Sequence, residues 1–65
     1  MLGQYLKKYR LSKNLTQEQM AKLLGMRQCN YSRLENNKLH IGITMVHRIA
    51  KLLEVEPSFV RSLLW

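Results

Sequence analysis

The stretch TQEQMAKLLGMRQCNYSRLEN, Thr16 to Asn36, decides the fold. Thr16 followed three residues later by Gln19 fits a capping box, in which the Thr hydroxyl accepts from the N3 amide and the Gln side chain reaches back to the cap. A helix therefore starts at about Gln17. Met20, Ala21, Leu23 and Leu24 give it an apolar face, and Gly25 sits where a chain leaves a helix with positive φ at no steric cost. After a tight turn the helical period runs again from about Gln28 to Asn36. It points Tyr31 and Leu34 inward and leaves Gln28, Cys29, Ser32 and Arg33 on the opposite, polar face.

Working outward, Leu2, Tyr5, Leu6 and Tyr9 draw an apolar stripe down a first helix that ends near Lys13, with Asn14 able to take the left-handed turn that stops it. Lys7, Lys8, Arg10 and Lys13 crowd this helix. Downstream, Asn36 to Gly42 read as a loop, and the period resumes at Ile43, Val46, Ile49, Ala50 and Leu53 as a fourth helix. Glu56 before Pro57 places a cap ahead of a proline at N1, opening a short fifth helix. Its Phe59, Val60, Leu63, Leu64 and Trp65 are unusually apolar for a chain end. Nothing alternates as strands do. The expectation is an all-α, compact five-helix unit, one domain over residues 1–65.

A chain of 65 residues buries only roughly 60% of the surface it exposes when unfolded, and its 46% hydrophobic and 23% charged residues are those of an ordinary globular protein. The single cysteine closes no intrachain disulfide, which fits a reducing, cytoplasmic setting. Apolar runs of two or three residues fall far below the roughly 18 needed to span a bilayer, and no signal-peptide h-region is present. Eleven Lys and Arg against four Glu, without any Asp, give a net charge of +7. On so small a body this is a strong positive field, with nucleic acid or an anionic membrane as the natural partner. The membrane reading fails because the cations are spread over several helices rather than along one amphipathic face.

Catalysis finds no support: the glutamates are scattered, and neither Ser nor Cys has a base at a recognisable spacing. His40 and His47 stand seven apart without a second cysteine, so no metal site and no cofactor are expected. Cys29, though flanked by Arg27 and Arg33, reads as a surface residue of the third helix rather than a redox switch. Tyr5, Tyr9, Tyr31 and Phe59 fall on inward stripes and read as core rather than as a stacking platform for single strands.

Within Gln17 to Asn36 the small Ala21 lies where two helices would cross closely, and Gly25 makes the turn between them. These are the steric needs of a helix-turn-helix, whose second helix lies in the DNA major groove. From Leu6 to Val60 the chain resembles the lambda-repressor-like, or Xre-type, helix-turn-helix family: LKKYRLSKNLTQEQMAKLLG, then MRQCNYSRLENNK, then TMVHRIAKLLEVEP. The Thr16-Gln17 start, the Ala21 and Gly25 pair, the Leu34-Glu35-Asn36 end and Ala50 are all family-like. The resemblance implies base contacts from Gln28, Cys29 and Arg33. It implies phosphate contacts from Thr16, Gln17, Arg27, Ser32, Asn36 and Lys38, and a structural salt bridge between Arg10 and Glu35. Chemistry agrees for Gln28 and Arg33, since Gln pairs with adenine and Arg with guanine through two hydrogen bonds each, whereas Cys29 offers at most contact with a thymine methyl. Three departures from the family pattern stand out. Arg27 occupies a position more often Ser or Thr, Asn37 replaces a frequent glycine, and Ile41-Gly42 replace a frequent proline and cap.

The function these features imply is a sequence-specific, double-stranded DNA-binding transcriptional regulator of bacterial, phage or plasmid origin. It is expected to be a repressor acting as a homodimer on a palindromic operator, with Phe59, Leu63, Leu64 and Trp65 as the dimer interface and no small-molecule ligand. The rival is an antitoxin or other protein-interaction module that uses the last helix to hold a partner protein.

Overall fold

The computed structural model describes residues 1–64. Five helices follow one another: α1 (Leu2–Ser12), α2 (Gln17–Leu24), α3 (Gln28–Glu35), α4 (Ile43–Leu53) and α5 (Pro57–Ser62). The described residues contain no strand. The capping box at the start of α2 is complete: the Gln19 amide donates to Thr16 Oγ1 at 3.1 Å and the Thr16 amide donates to Gln19 Oε1 at 2.8 Å. Gly25 ends α2 with φ +69°, and its amide returns to the Lys22 carbonyl. Arg48 of α4 caps the same end by donating from Nη1 to the Leu24 carbonyl at 3.3 Å. Asn14, Asn37 and Glu54 also take left-handed backbone, and each ends or follows a helix.

The core gathers Leu2 and Leu6 of α1, Met20, Ala21 and Leu24 of α2, Tyr31 and Leu34 of α3, Val46, Ile49 and Ala50 of α4, and Val60 of α5. Burying each Leu, Ile, Val or Met of this set contributes about 1.5–3 kcal/mol, which is what holds so short a chain without a disulfide. Four positions depart from the inward stripes drawn by periodicity. Leu23 is 57% exposed and Ile43 66% exposed. Leu23 lies one position before the buried Leu24, 100° round the helix, and Ile43 opens α4 before the helix has reached its neighbours. Tyr5 and Phe59 are also exposed, and they stack edge to face with ring centres 5.5 Å apart. Each covers the other's ring where the core is too thin to take both.

The two ends of the chain are tied together. The Leu2 amide donates to the Leu63 carbonyl at 3.0 Å, and the next amide, Gly3, donates to Asn37 Oδ1 at 2.9 Å. The start of α1 is thereby fixed to the end of α5 and to the loop that follows α3.

Candidate nucleic-acid interface

The inner side of α3 is pinned at several points. Tyr31, Leu34 and Glu35 are buried, the first two in the core. At the last turn Arg10 of α1 donates from Nε to Glu35 Oε2 at 2.6 Å and from Nη2 to Oε1 at 3.3 Å, while its Nη1 reaches the Leu15 carbonyl at 3.0 Å. Gln17, the first residue of α2, donates from Nε2 to the same Glu35 Oε1 at 3.2 Å. One carboxylate therefore joins three helices, which fixes how α3 sits against its neighbours.

Burial pushes the Glu35 carboxyl upward. The donors from Arg10 and Gln17, the neighbouring Tyr31 hydroxyl and the Arg10 charge outweigh it and hold the carboxyl below its ordinary value. The hydrogen bond to Glu35 is in turn the main reason Arg10 holds its proton more tightly than usual. The Tyr31 ring is fully buried, and burial together with the adjacent carboxylate raises its hydroxyl so that it stays protonated. That hydroxyl sits beside the Glu35 carboxylate and the Arg10 guanidinium. By its place on the inward stripe Tyr31 reads only as a core aromatic. The signal available was a polar tip on an inward position one helical turn before Glu35.

The outer side of α3 is open. Gln28, Cys29 and Arg33 are all exposed, as are Arg27 at the head of the helix and Lys38 beyond its end. Arg27 caps α3 only through its extended backbone, with no side-chain cap bond. The α3 N-terminal amides consequently have no protein side chain of the usual Ser or Thr kind upon them. Asn36 is exposed, but its side-chain amide donates to the Ser32 carbonyl at 2.8 Å. Ser32 and Gln17 are half-buried, and Thr16 is exposed with its oxygen engaged by the capping box. Asn37, rather than merely tolerating the left-handed turn, uses its side chain to hold Gly3.

The apolar end of the chain is divided. Phe59 is 40% exposed, whereas Leu63 and Leu64 are half-buried and pack on the core of their own chain. Trp65, expected in the same cluster, lies outside the described residues. Among the described residues no group of three His, Cys, Asp or Glu side chains could hold a metal ion. No described helix is long and apolar enough to cross a membrane.

Comparison with known proteins agrees with this geometry. The model of a helix-turn-helix family matches residues 6–60, which takes in α2, the turn, α3, α4 and most of α1 and α5. Neither a curated protein nor a solved structure matches the chain. A family match over most of the chain, on a five-helix body whose second and third helices form the motif, means that the protein belongs to the lambda-repressor-like, Xre-type helix-turn-helix family of DNA-binding regulators.

Proposed function

We propose that the protein is a sequence-specific repressor that binds a near-palindromic operator in duplex DNA as a homodimer in the cytoplasm. The observation that carries this reading is the two-sidedness of α3: an inner side fixed to α1 and α2 through Glu35, and an outer side that displays Gln28, Cys29 and Arg33. Base-edge recognition needs both, because a reading side chain discriminates only when its backbone is held in register. In this reading Gln28 and Arg33 choose bases and Cys29 touches a thymine methyl. Arg27, Ser32, Asn36 and Lys38 meet phosphates beside them, and Thr16 and Gln17 do so at the start of α2, where free amides and the helix dipole favour an anion. Bound at its operator, the dimer excludes polymerase.

The exposed Phe59 with Tyr5, together with the uncovered parts of Leu63 and Leu64, supports an interface between two copies. A two-fold axis there would set two α3 helices about 34 Å apart, one turn of DNA. The same surface serves the rival reading, an antitoxin that holds a partner protein. Selection of duplexes from a random library by the purified protein tests the main reading: two inverted half-sites one helical turn apart are expected. Recovery of no preferred sequence would overturn it, and size-exclusion chromatography with light scattering then separates a self-sufficient dimer from a chain that needs a partner.

A further inference from the structure

Between the second half of α2 and the outer side of α4 runs an open groove of about 620 Å³. Leu23, Leu24 and Leu52 supply its apolar lining, and Lys22, Arg48 and Lys51 its charge. Arg48 is held at the wall by its bond to the Leu24 carbonyl. A second hollow of about 420 Å³ shares Arg48 and Lys51 and carries the surface on to Ile43. The exposed Leu23 and Ile43 thus stand on one cationic surface. Among the described residues, none that lines either hollow is acidic, and none belongs to α3 or α5. Glu18 approaches Lys22 Nζ only to 3.9 Å with both side chains mostly exposed, so that pair contributes little and holds the ammonium loosely.

We propose that this groove docks an acidic amphipathic helix of a partner protein. Apolar side chains three and four positions apart on that helix cover Leu23 and Leu52, and carboxylates on its flanks meet Lys22, Arg48 and Lys51. The pairing of apolar floor and cationic rim selects this occupant. A DNA backbone offers phosphates to the cations but nothing to cover the leucines. A second copy of this chain carries the same +7 charge, so like would face like. A neutral apolar segment would leave three cations at the rim unmatched. The site uses neither the outer side of α3 nor Phe59, so it gives the protein a contact surface beyond those of DNA reading and self-association.

Amide NMR titration of the isotope-labelled full chain tests this, with a synthetic helical peptide of about fifteen residues that carries Leu along one stripe and Glu on both flanks as the probe. A peptide of the same composition with its leucines scrambled off the stripe, and a random-sequence duplex, are titrated alongside. The amphipathic peptide is expected to shift the amides of Lys22 to Gly25 and Arg48 to Leu52, and to bind at least about tenfold tighter than the scrambled one. Reversing two exposed charges, Lys22→Glu with Lys51→Glu, is expected to weaken binding about tenfold or more, and Leu23→Ser at least about threefold, with thermal unfolding checking that each variant still folds. Equal binding of the scrambled peptide would reduce the effect to overall charge and overturn the proposal. Absence of peptide binding, shifts centred on α3 or α5, or a charge-reversed variant that binds as well as wild type would overturn it too. If the duplex moves the Lys22, Leu23 and Lys51 amides more than those of α3, the surface belongs to nucleic acid and the proposal falls.

Discussion

Gly3 lies against the backbone of Glu35 so closely that a β-carbon at Gly3 would overlap the Glu35 carbonyl oxygen. The same carbon would stand 2.7 Å from Asn37 Oδ1, the atom that accepts the Gly3 amide. Two backbones meeting without a side chain between them leave no flexible group to give way. Gly3→Ala is therefore expected to cost about 3 kcal/mol, the upper part of the range for overpacking, because backbone must move. Urea unfolding followed by circular dichroism measures it. An unaltered midpoint would show that α1 can slide away from α3.

Arg10 and Glu35 should make stability fall in acid. The Glu35 carboxyl is held below its ordinary value of 4.5, so its pairing stabilises the fold fully above that value. The contribution fades as pH drops through the lowered value of the folded state, where the native carboxylate finally takes its proton. Thermal unfolding from neutral pH down to about pH 2 should show this loss, and Glu35→Gln should flatten the part of the profile that Glu35 causes. Arg10→Ala, which strands the buried carboxylate, is expected to cost about 3 kcal/mol at neutral pH.

Neighbouring leucines of α2 should respond in opposite ways. Leu24 is 1% exposed and Leu23 57% exposed. Leu24→Ala is expected to cost about 2–5 kcal/mol and Leu23→Ala no more than about 0.5 kcal/mol. Comparable losses for the two in a denaturant series would mean that α2 is rotated about its axis relative to the structure described.

Arg33 and Lys38 should separate sequence choice from general attraction. Arg33→Ala is expected to weaken binding to the selected duplex by about 1–3 kcal/mol and to relax preference at one position of each half-site. Equal loss on selected and random duplexes, read by anisotropy, would deny Arg33 a base-reading role. Lys38→Ala should leave the preference intact and flatten the dependence of log affinity on log salt by about one unit.

Phe59 should matter to association more than to folding. Phe59→Ser removes an edge-to-face contact with Tyr5, which contributes about 1 kcal/mol within one chain. In sedimentation equilibrium it is expected to raise the dimer dissociation constant at least about tenfold, the effect of losing an aromatic anchor from an interface. A wild-type chain that stays monomeric well above its DNA-binding range, and binds one half-site as well as two, would assign this surface to another protein.

What the sequence made legible follows from local chemistry. The Thr16 and Gln19 box, the Gly25 stop and the proline at the head of α5 each act within a few residues, and each is found where it was read. The outward side of α3 was legible for the same reason, since Gln28, Cys29 and Arg33 fall off the stripe that Tyr31 and Leu34 set, and all three are exposed. The roles of Asn37 and Tyr31 were not, because both depend on contacts with residues far along the chain or on another helix. Gly3 meets Asn37 across 34 positions, a separation that no periodicity reports. Periodicity also overreached at Leu23 and Ile43, where an apolar residue at a helix edge satisfies the pattern without being covered.

The bond between Leu2 and Leu63 bears on how this domain can be built into something larger. A chain whose first and last turns are held side by side has a single seam, so a segment fused at either end would emerge from the same edge of the body. That edge also belongs to α1 and α5, whose Tyr5 and Phe59 stand open to the outside. A bulky fusion at either terminus would therefore crowd the same surface, whereas a short tether closing the seam would circularise the chain. New ends could then be opened at the exposed turn around Asn14, leaving the α3 face untouched.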